Sequence, residues 1–549
     1  MSKKHVLVIG AGPAGISFAD KLVELSDKFC ITILEKSQYI GGISKTVNFE
    51  GNRIDIGGHR FFSKSDEVMN WWAEKFPVSI EDDIQDIELK YQGNTKAIPD
   101  GFRIASKKEQ EDSNVLLLRN RKSRIIHEKK LYDYPLKMNK KTLANIGALR
   151  LIKVSLSYIK SKIASSEPNN LEEFIVSRFG KTLYKMFFES YTEKVWGRHP
   201  SEISAEWGAQ RIKGLSIRKI LQDVGTKTFN KFKKLDEVDI SQKNVETSLI
   251  EKFLYPKYGP GQIWEFVAKE LEQRDCVTIH MNSRLTGIEV GTQSNKTKVK
   301  YVCSDGDLKE LTCDFVVSTM PISHLVECLS ISEKDKGLSK SNLDAAKKLP
   351  YRDFLTVGIL LRDLHGPNGE ELDDTWLYVQ EPNVKVGRIQ IFNNWSPYMV
   401  KDKQNKWIGL EYFCQKDDEL WSMSNSELVD LALKELNELG LCSQSDFLKG
   451  TVLKEEKTYP AYFDSYAEIE NIKRELIQIK PLFLIGRNGM HKYNNQDHSM
   501  LTAFRTAEII ASSNIETELK ESVWDVNTCL LYTSPSPRDY AASRMPSSA

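Results

Sequence analysis

Six residues near the N-terminus have the types and the spacing that hold a phosphate group. They run from Gly10 to Gly15 and read Gly-Ala-Gly-Pro-Ala-Gly, which fits the pattern GxGxxG. Gly10 permits a tight turn, Gly12 lets the backbone approach a pyrophosphate, and Gly15 lets a helix pack closely on a strand. The helix that begins with Pro13 and Ala14 would offer unpaired N–H groups to phosphate oxygens. The pattern therefore predicts a dinucleotide site.

The surroundings of this motif support the prediction. Residues 6–9 are a short apolar run typical of a buried strand, a helical pattern follows from Pro13 to about Leu25, and residues 30–34 form a second apolar run. This β-α-β order is typical of a Rossmann unit. Glu35 ends the second strand about 20 residues after the motif, where an acid can bind ribose hydroxyls, and Lys36 adjoins it. A chance glycine turn is the alternative, and the two strands and the acid argue against it.

Two further glycine-containing segments favour FAD over NAD. Gly41 and Gly42 follow the acid closely, as in flavoproteins in which this loop meets the pyrophosphate. Residues 484–489 contain Gly486 and Arg487 and resemble a second flavin-contacting segment of those flavoproteins. Either glycine pair alone is common in ordinary turns. Because they lie at opposite ends of the chain, they together predict a discontinuous FAD-binding domain.

The pattern along the chain predicts an α/β fold with three structural parts. A discontinuous Rossmann-type FAD-binding domain takes residues 1–65, 251–350 and 481–515. Residues 66–250 look mainly helical and form a substrate domain, and residues 351–480 form a mixed or antiparallel β-sheet domain. The tail at 527–549 is rich in Ser and Pro, has no periodicity, and is interpreted as disordered or artefactual sequence outside the fold.

Composition and charge exclude several classes of protein. A chain of 549 residues exceeds the usual limit for one hydrophobic core, so two or three domains are expected. The 77 basic and 76 acidic residues leave a net charge of +1, which argues against a nucleic-acid binder. The eight cysteines and nine histidines show no CxxC or HxxxH spacing, so no metal is expected. With no secretory signal and no transmembrane segment expected, the predicted location is cytoplasmic.

Several longer motifs resemble the UDP-galactopyranose mutase group of flavoproteins, within the protoporphyrinogen oxidase and amine oxidase superfamily. The similar segments, in chain order, are residues 57–63, 193–196, 206–211, 258–264, 376–378, 391–398 and 492–499. They occur in the family's order and cover nearly all of the chain except the tail. Two differences concern the substrate: Arg60 stands where those mutases carry an apolar residue, and residues 134–137 read Tyr-Pro-Leu-Lys in place of Tyr-Pro-Phe-Gln.

The resemblance implies that Arg211 and Arg362 bind a substrate pyrophosphate. Planar guanidinium groups suit this task because they donate paired hydrogen bonds to phosphate oxygens. Arg362 follows Tyr351 by 11 residues at the end of a predicted strand, which matches the family spacing. The alternative for each is an ordinary surface arginine in a salt bridge.

The resemblance also implies a set of polar and aromatic residues around the flavin and the substrate. They are Gly58, His59, Tyr378, Tyr466, Tyr493, Asn495, Gln496, His498 and Ser499. His59 is expected to lie against the flavin and respond to its redox state, with a purely structural role in its loop as the alternative. The tyrosines offer a flat face to a sugar or uracil and a hydroxyl to a phosphate. His498 beside Asp497 is expected to form the flavin loop or a helix cap rather than a catalytic dyad.

The activity that the resemblance implies is a UDP-sugar mutase that interconverts UDP-galactopyranose and UDP-galactofuranose for cell-surface polysaccharide synthesis. In that family reduced flavin attacks the sugar through N5, and the adduct opens and recloses in the other ring size. An external reductant such as NAD(P)H would be needed, and an oligomer is possible. A true FAD-dependent oxidoreductase of the amine oxidase or protoporphyrinogen oxidase type is the alternative, and a flavin-binding scaffold without turnover is a third.

Overall fold

The computed structural model describes residues 3–79, 89–91, 94–96, 103–106, 109, 113–134, 136, 139–163, 167–205, 252–291, 296–331 and 337–526. Its α-helices, in chain order, are Pro13–Leu25, Asp66–Lys75, Lys140–Ile146, Ala148–Ile163, Leu171–Phe179, Lys181–Tyr184, Ser190–Trp196, Gly261–Glu272, Ile322–Cys328, Lys340–Lys347, Phe392–Trp395, Glu419–Ser422, Asn425–Glu438, Ile469–Leu476, Gly486–Gly489, Gln496–Ser512 and Thr517–Asp525. Among the described residues no helix is both long and apolar enough to cross a membrane.

A five-stranded parallel sheet gathers strands from both ends of the chain. Its strands, in spatial order, are Val277–His280, Phe29–Leu34, Lys4–Ile9, Phe315–Ser318 and Leu482–Leu484. The central strand is fully buried from Val6 to Val8, as expected for a sheet covered by helices on both faces. The first helix begins with Pro13. Proline is suited to this position because a backbone N–H in the first turn would have no partner within the helix. The sheet therefore brings the glycine motif of residues 10–15 beside the segment after Leu484.

A seven-stranded mixed sheet forms the second large layer. Its spatial order is Lys130–Asp133, Ser123–His127, Trp376–Val379, Arg388–Ile391, Lys406–Cys414, Tyr351–Leu361 and Phe447–Pro460. All neighbouring strands run antiparallel except Ser123–His127 and Trp376–Val379, which are parallel. Every residue of Tyr351–Leu361 is buried, because this strand lies between two long neighbours and under the helix Asn425–Glu438.

Four smaller sheets complete the described strands. They are a three-stranded sheet of Lys252–Pro256, Leu116–Asn120 and Val78–Ser79; a four-stranded sheet of Leu308–Cys313, Thr297–Val302, Arg284–Val290 and Leu329–Ile331; the hairpin Thr46–Phe49 with Asn52–Asp55; and the hairpin Leu89–Tyr91 with Asn94–Lys96.

The region predicted to be mainly helical is more varied than its pattern indicated. Helices prevail from Lys140 to Trp196, but three strands precede them between Leu116 and Asp133. Two of these strands extend the seven-stranded sheet, which otherwise comes from residues 351–460. Their apolar segments are short and are interrupted by basic residues, so the local sequence pattern does not indicate strands. The mixed α/β architecture itself is confirmed.

The helix Thr517–Asp525 closes the described chain and packs on the same core as the parallel sheet. Val523 and Trp524 are 2% and 4% exposed, and Lys520 donates a hydrogen bond from Nζ to the carbonyl of Ile479. Burial lowers the pKa of Lys520 to about 7. The compact fold therefore extends beyond residue 515, the boundary predicted for the last part of the FAD-binding domain.

We predict that Trp524→Ala lowers the free energy of unfolding by about 3–5 kcal/mol, because it removes a large buried side chain. Removing residues 527–549, which have no core-forming pattern, should leave the thermal midpoint of unfolding unchanged. Thermal and denaturant unfolding of both variants checks this. A destabilising tail deletion would contradict the interpretation that the tail lies outside the fold, and a neutral Trp524→Ala would contradict the packing of the helix Thr517–Asp525 on the core.

Candidate active site

Two glycine turns face each other where the central parallel strand ends. A side chain on Gly42 would place its Cβ 3.2 Å from the Cα of Gly12, and the N–H of Gly41 donates to the carbonyl of Ala11 over 2.9 Å. A Cβ on Gly15 would lie 2.0 Å from the carbonyl oxygen of Gly10, so no other residue fits there. The turns leave bare backbone beside the N-terminus of the helix Pro13–Leu25, which is the environment that a pyrophosphate requires.

The third glycine segment reaches the same point from the other end of the chain. Gly486 has a φ of +74°, and a Cβ on it would lie 2.9 Å from the Cβ of Ala14. Its N–H donates to Oγ1 of Thr502 over 3.0 Å. The segments 10–15, 41–42 and 486 thus lie close together in the structure.

Glu35 lies where an acid can meet a ribose. Its Oε2 accepts the N–H of Ala11 and its Oε1 accepts the N–H of Ser37, both over 2.9 Å. These bonds hold the carboxylate at the edge of a cavity of about 760 Å³. Lys36 also lines that cavity, beside the carboxylate.

The cavity continues from the glycine turns to the seven-stranded sheet. Its lining contains most of the predicted cofactor and substrate residues: Gly10, Gly12, Pro13, Ala14, Glu35, Lys36, Gly42, Gly58, His59, Tyr378, Gly486, Arg487, Tyr493, Asn495, Gln496 and Ser499. Gly15, Gly41 and His498 belong to the same segments but do not line the cavity. A volume of this size accommodates a large cofactor with part of a substrate.

The segment 492–499 closes the cavity by hydrogen bonding to the segment 57–63. Gln496 donates from Nε2 to the carbonyl of Arg60 over 3.2 Å, and Ser63 donates from Oγ to Oδ2 of Asp497 over 2.9 Å. Asp497 also contacts Nδ1 of His498 over 2.9 Å. His498 thus contacts the carboxylate that joins the two segments, and its role in the loop stays a prediction.

His59 faces the cavity as a neutral ring. Its Nε2 donates to the carbonyl of Ile56 over 2.8 Å, which leaves Nδ1 toward Oγ of Ser44 at 3.5 Å. Burial, followed by the charges of Arg487 and Arg388, lowers the pKa of His59 to about 4. The ring is thus uncharged at neutral pH and rests against the space that the glycine turns open.

The arginine that the seven-stranded sheet presents to the cavity is Arg388. It forms an ion pair with the buried carboxylate of Glu411, and Nη2 donates to the hydroxyl of Tyr459 over 3.0 Å. Burial works against its charge, but Glu411 and the surrounding tyrosines raise the pKa of Arg388 well above its usual range. Sequence reasoning missed it, although it lies only three residues before the recognised motif at 391–398.

Arg60, noted only as a departure from the mutase pattern, also lines the cavity. Its Cζ lies 5.2 Å from the ring centre of Trp376, and Cζ of Arg121 lies 5.5 Å from the same ring. Nη1 of Arg60 is buried and has no hydrogen-bond partner among the described residues. Burial, followed by the charge of Arg121, lowers the pKa of Arg60 to about 10, so it remains cationic at neutral pH.

Aromatic side chains surround these arginines. Tyr378 packs against Tyr134 with ring centres 4.5 Å apart, and Tyr493 stacks on Tyr459 at 5.3 Å with planes 23° apart. Trp395 stacks on Trp376 at 5.3 Å and so covers one of its faces. The inner end of the cavity is consequently cationic and aromatic.

Two of the predicted substrate residues that the structure describes do not line this cavity. Tyr466 stacks on Tyr462 and accepts a hydrogen bond from Lys492 outside it. Arg362 is exposed and donates from Nη1 to the carbonyl of Ser445 over 2.7 Å. It lies eight residues beyond Phe354, which packs near Gly57, and that distance along a strand is roughly 26 Å. Arg211 lies outside the described residues.

The family follows from a match over most of the chain. Residues 13–511 match the family described as flavin containing amine oxidoreductase. The chain belongs to this family. Its cofactor is FAD, and the converging glycine turns fit that dinucleotide.

Individual relatives are more distant. A protein of Klebsiella pneumoniae named "Probable UDP-galactopyranose mutase" is 24% identical over 217 residues, which are 37% of this chain and 44% of that relative's length. The phytoene desaturase of Fusarium fujikuroi is 44% identical over only 55 residues, 10% of this chain and 9% of the relative. The chain thus matches less than half the length of these curated relatives.

Solved structures show the same fold over nearly the whole chain. The crystal structure of a reduced UDP-galactopyranose mutase has a TM-score of 0.70 at 20% identity and covers 96% of this chain and 98% of that one. Cyclohexylamine oxidase from Brevibacterium oxydans has a TM-score of 0.57 at 12% identity, with 93% and 99% covered. At these identities the likeness establishes the fold.

For this flavoprotein we predict that Gly12→Val abolishes FAD binding while the apoprotein still folds. A Cβ on Gly12 would lie 3.6 Å from Cα of Gly42, which is an ordinary contact, so the backbone has room for a side chain, and that side chain would occupy the place of the pyrophosphate. Flavin absorbance of the purified variant and the thermal midpoint of the apoprotein check the two halves. Full flavin occupancy in Gly12→Val would refute the placement of the pyrophosphate.

We also predict that His59 makes the stability of the apoprotein depend on pH. Its folded pKa of about 4 lies below the ordinary value of 6.5, so the unfolded chain binds the proton more tightly. Its contribution is complete above about pH 6.5 and is lost as the pH falls toward 4. His59→Gln should therefore show a flatter loss of unfolding free energy across this window.

The comparison of the two proteins isolates His59 from other groups that titrate nearby. Burial raises the pKa of Asp55 to about 7, so this carboxyl changes the unfolding free energy with pH in the opposite direction. Because Asp55 is present in both proteins, its contribution cancels when the two curves are subtracted. Denaturant unfolding at several pH values between 4 and 7.5 gives the measurement. Parallel curves for wild type and variant would show that His59 is not held neutral by the fold.

Proposed function

We propose that this flavoprotein is a UDP-sugar mutase that interconverts UDP-galactopyranose and UDP-galactofuranose. The observation that carries the proposal is the cationic and aromatic inner end of the cavity. Arg60 and Arg121 lie together against Trp376, and no described carboxylate is within ion-pairing distance of Arg60. A half-buried cation without a carboxylate partner favours an anionic ligand, since leaving its buried Nη1 unpaired is costly. The pyrophosphate of a nucleotide sugar is such a ligand.

Each part of the proposed substrate has a matching part of the cavity. FAD would extend from the glycine turns at Gly12 and Gly42 toward His59, which is the discontinuous Rossmann-type arrangement predicted from the sequence. The pyrophosphate would meet Arg60, while Arg388, already neutralised by Glu411, would orient polar groups of the sugar. Tyr378 and Tyr493 would flank the sugar or uracil. These rings would exclude water from the cavity and hold the substrate in a fixed orientation.

The bound cofactor would supply the chemistry, because reduced flavin is the nucleophile in mutases of this type. A reductant such as NAD(P)H would deliver its electrons. The protein's own residues would hold the leaving pyrophosphate near the reacting carbon, and neutral His59 would leave the flavin environment without an added positive charge. A role in cell-surface polysaccharide synthesis and a cytoplasmic location belong to the same proposal.

An oxidoreductase of the amine oxidase type is the second candidate, and the family match over residues 13–511 favours it. The charge of Arg60 in the cavity lining argues against an amine, since it would repel a cationic substrate. The polar lining around Arg388 and Glu411 argues against a polyene or another wholly apolar substrate. We therefore place the mutase first.

The test is anaerobic incubation of dithionite-reduced protein with each UDP-galactose ring form, followed by chromatography of the products. The proposal expects each form to yield the other, with no turnover by oxidised protein. Cyclohexylamine and putrescine, tested aerobically for hydrogen peroxide release, probe the alternative. Peroxide release without ring interconversion would replace the mutase with the oxidase.

We predict that Arg60→Met weakens UDP binding by about ten- to hundredfold, the loss expected for about 1.5–3 kcal/mol of charge-assisted hydrogen bonding. Arg60→Lys should recover only part, because the charge returns without the planar fork. Arg362→Met is the matched control, because it removes an exposed guanidinium far from the cavity. Calorimetric titration of UDP into the three variants decides: equal affinity in Arg60→Met and wild type would remove Arg60 from the site.

A further inference from the structure

The helix Ala148–Ile163 exposes a continuous stripe of large apolar side chains. Leu149, Ile152, Leu156, Ile159 and Ile163 are 81%, 58%, 63%, 55% and 82% exposed. Their spacing of three, four, three and four residues places all of them on one face of the helix. They make up half of the ten large apolar side chains exposed in the described part of the chain. Such a contiguous patch marks an interaction surface.

The opposite face attaches this helix to the protein. Val154 is 7% exposed, and Oγ of Ser157 accepts the N–H of Thr182 over 3.1 Å. A Cβ on Gly180 would lie 2.8 Å from the backbone nitrogen of Tyr158, so the backbones are in close contact there. The helix is therefore fixed in orientation, and its apolar stripe points away from the elements that hold it.

The charge around the stripe is unbalanced. Between Tyr134 and Ser166 the chain contains seven Lys and Arg residues and no Asp or Glu, although the whole chain has 77 basic and 76 acidic residues. Lys153 and Lys160 follow two stripe leucines by four residues, which places them along one edge of the stripe. Both are exposed, and neither forms an ion pair with a described residue.

We propose that the helix Ala148–Ile163 docks the protein on an anionic phospholipid surface. The stripe from Leu149 to Ile163 would enter the boundary between headgroups and acyl chains, and Lys153 and Lys160 would contact the phosphates. At 16 residues the helix is about 24 Å long, enough to lie along the surface. A second copy of the chain fits less well, because it would bring the same uncompensated lysines against the first. The inference is independent of the proposed function.

Vesicle co-sedimentation of the full, flavin-loaded protein tests this. The probes are vesicles of phosphatidylcholine alone and vesicles containing 30% phosphatidylglycerol. In about 0.1 M salt the protein should sediment with the anionic vesicles and not with the neutral ones. Raising the salt to about 0.5 M should release most of it, because the attraction to the headgroups is then screened.

Two double variants separate the apolar and the charged parts of the surface. Leu156→Ser with Ile159→Ser, and Lys153→Glu with Lys160→Glu, should each lower vesicle partitioning by more than about tenfold. The matched control combines Leu308→Ser with Lys298→Glu, two exposed positions on neighbouring strands of another sheet, and should bind as wild type does. Flavin content and thermal midpoint verify that all variants are folded.

Several results would overturn the proposal. The first is a wild-type protein that sediments with neither kind of vesicle, and the second is stripe variants that bind anionic vesicles as tightly as the control does. The third is equal binding to neutral and anionic vesicles, because the lysines would then have no role. Sedimentation equilibrium measures whether the protein forms a dimer, which is the remaining alternative. A wild-type dimer that ignores vesicles and dissociates in Leu156→Ser with Ile159→Ser would show that the stripe is a contact between copies of this chain.

Discussion

The close approach of bare backbone at Gly12 and Gly42 is the constraint on which the rest of the structure depends. A phosphate can lie against peptide N–H groups only where no Cβ intervenes, so these two turns must face each other at the N-terminus of the helix Pro13–Leu25. Gly15 lets that helix pack closely against the end of the strand Lys4–Ile9. Gly486 lets the segment after the last strand contact the same helix. Strands from residues 4 to 484 are therefore gathered into one parallel sheet whose carboxyl ends meet at the cofactor.

Beyond the glycine turns, the distribution of charge decides what else the cavity can hold. Arg388 is half-buried, Glu411 neutralises its charge, and Tyr459 accepts one of its hydrogen bonds. Arg60 differs, because after burial the charge of another guanidinium, Arg121, is what lowers its pKa, and its Nη1 has no described hydrogen-bond partner. A fold shared by oxidases and mutases does not select a reaction by itself. In our account the selection comes from Arg60, Arg121 and the rings around Trp376, which favour an anionic and partly flat substrate.

The cofactor half of the site could be predicted from the sequence because its requirements are local. Each glycine indicates a position at which the backbone needs a special conformation or a close approach. Apolar runs such as residues 6–9 and 482–484 indicate strands that are buried on both faces. The substrate half depends on tertiary placement. Arg362 was chosen by its spacing along one strand, but the strand carries it roughly 26 Å away from the cavity end. Arg388 lies two strands away in the same sheet, beyond Lys406–Cys414, and approaches His59 only through the pairing of the sheet, which no local pattern reveals.

The most direct measurement of the central claim is a titration of UDP into the flavin-loaded protein while the visible absorption spectrum of the flavin is recorded. If FAD and a nucleotide sugar share one cavity with Arg60 and Arg388 beside the flavin, UDP must perturb that spectrum with a saturable dependence on its concentration. Uridine, which lacks the pyrophosphate, should have a much weaker effect at the same concentrations. The account would be contradicted by a spectrum that UDP leaves unchanged while an amine bleaches it, because the cavity would then serve oxidation of a cationic substrate.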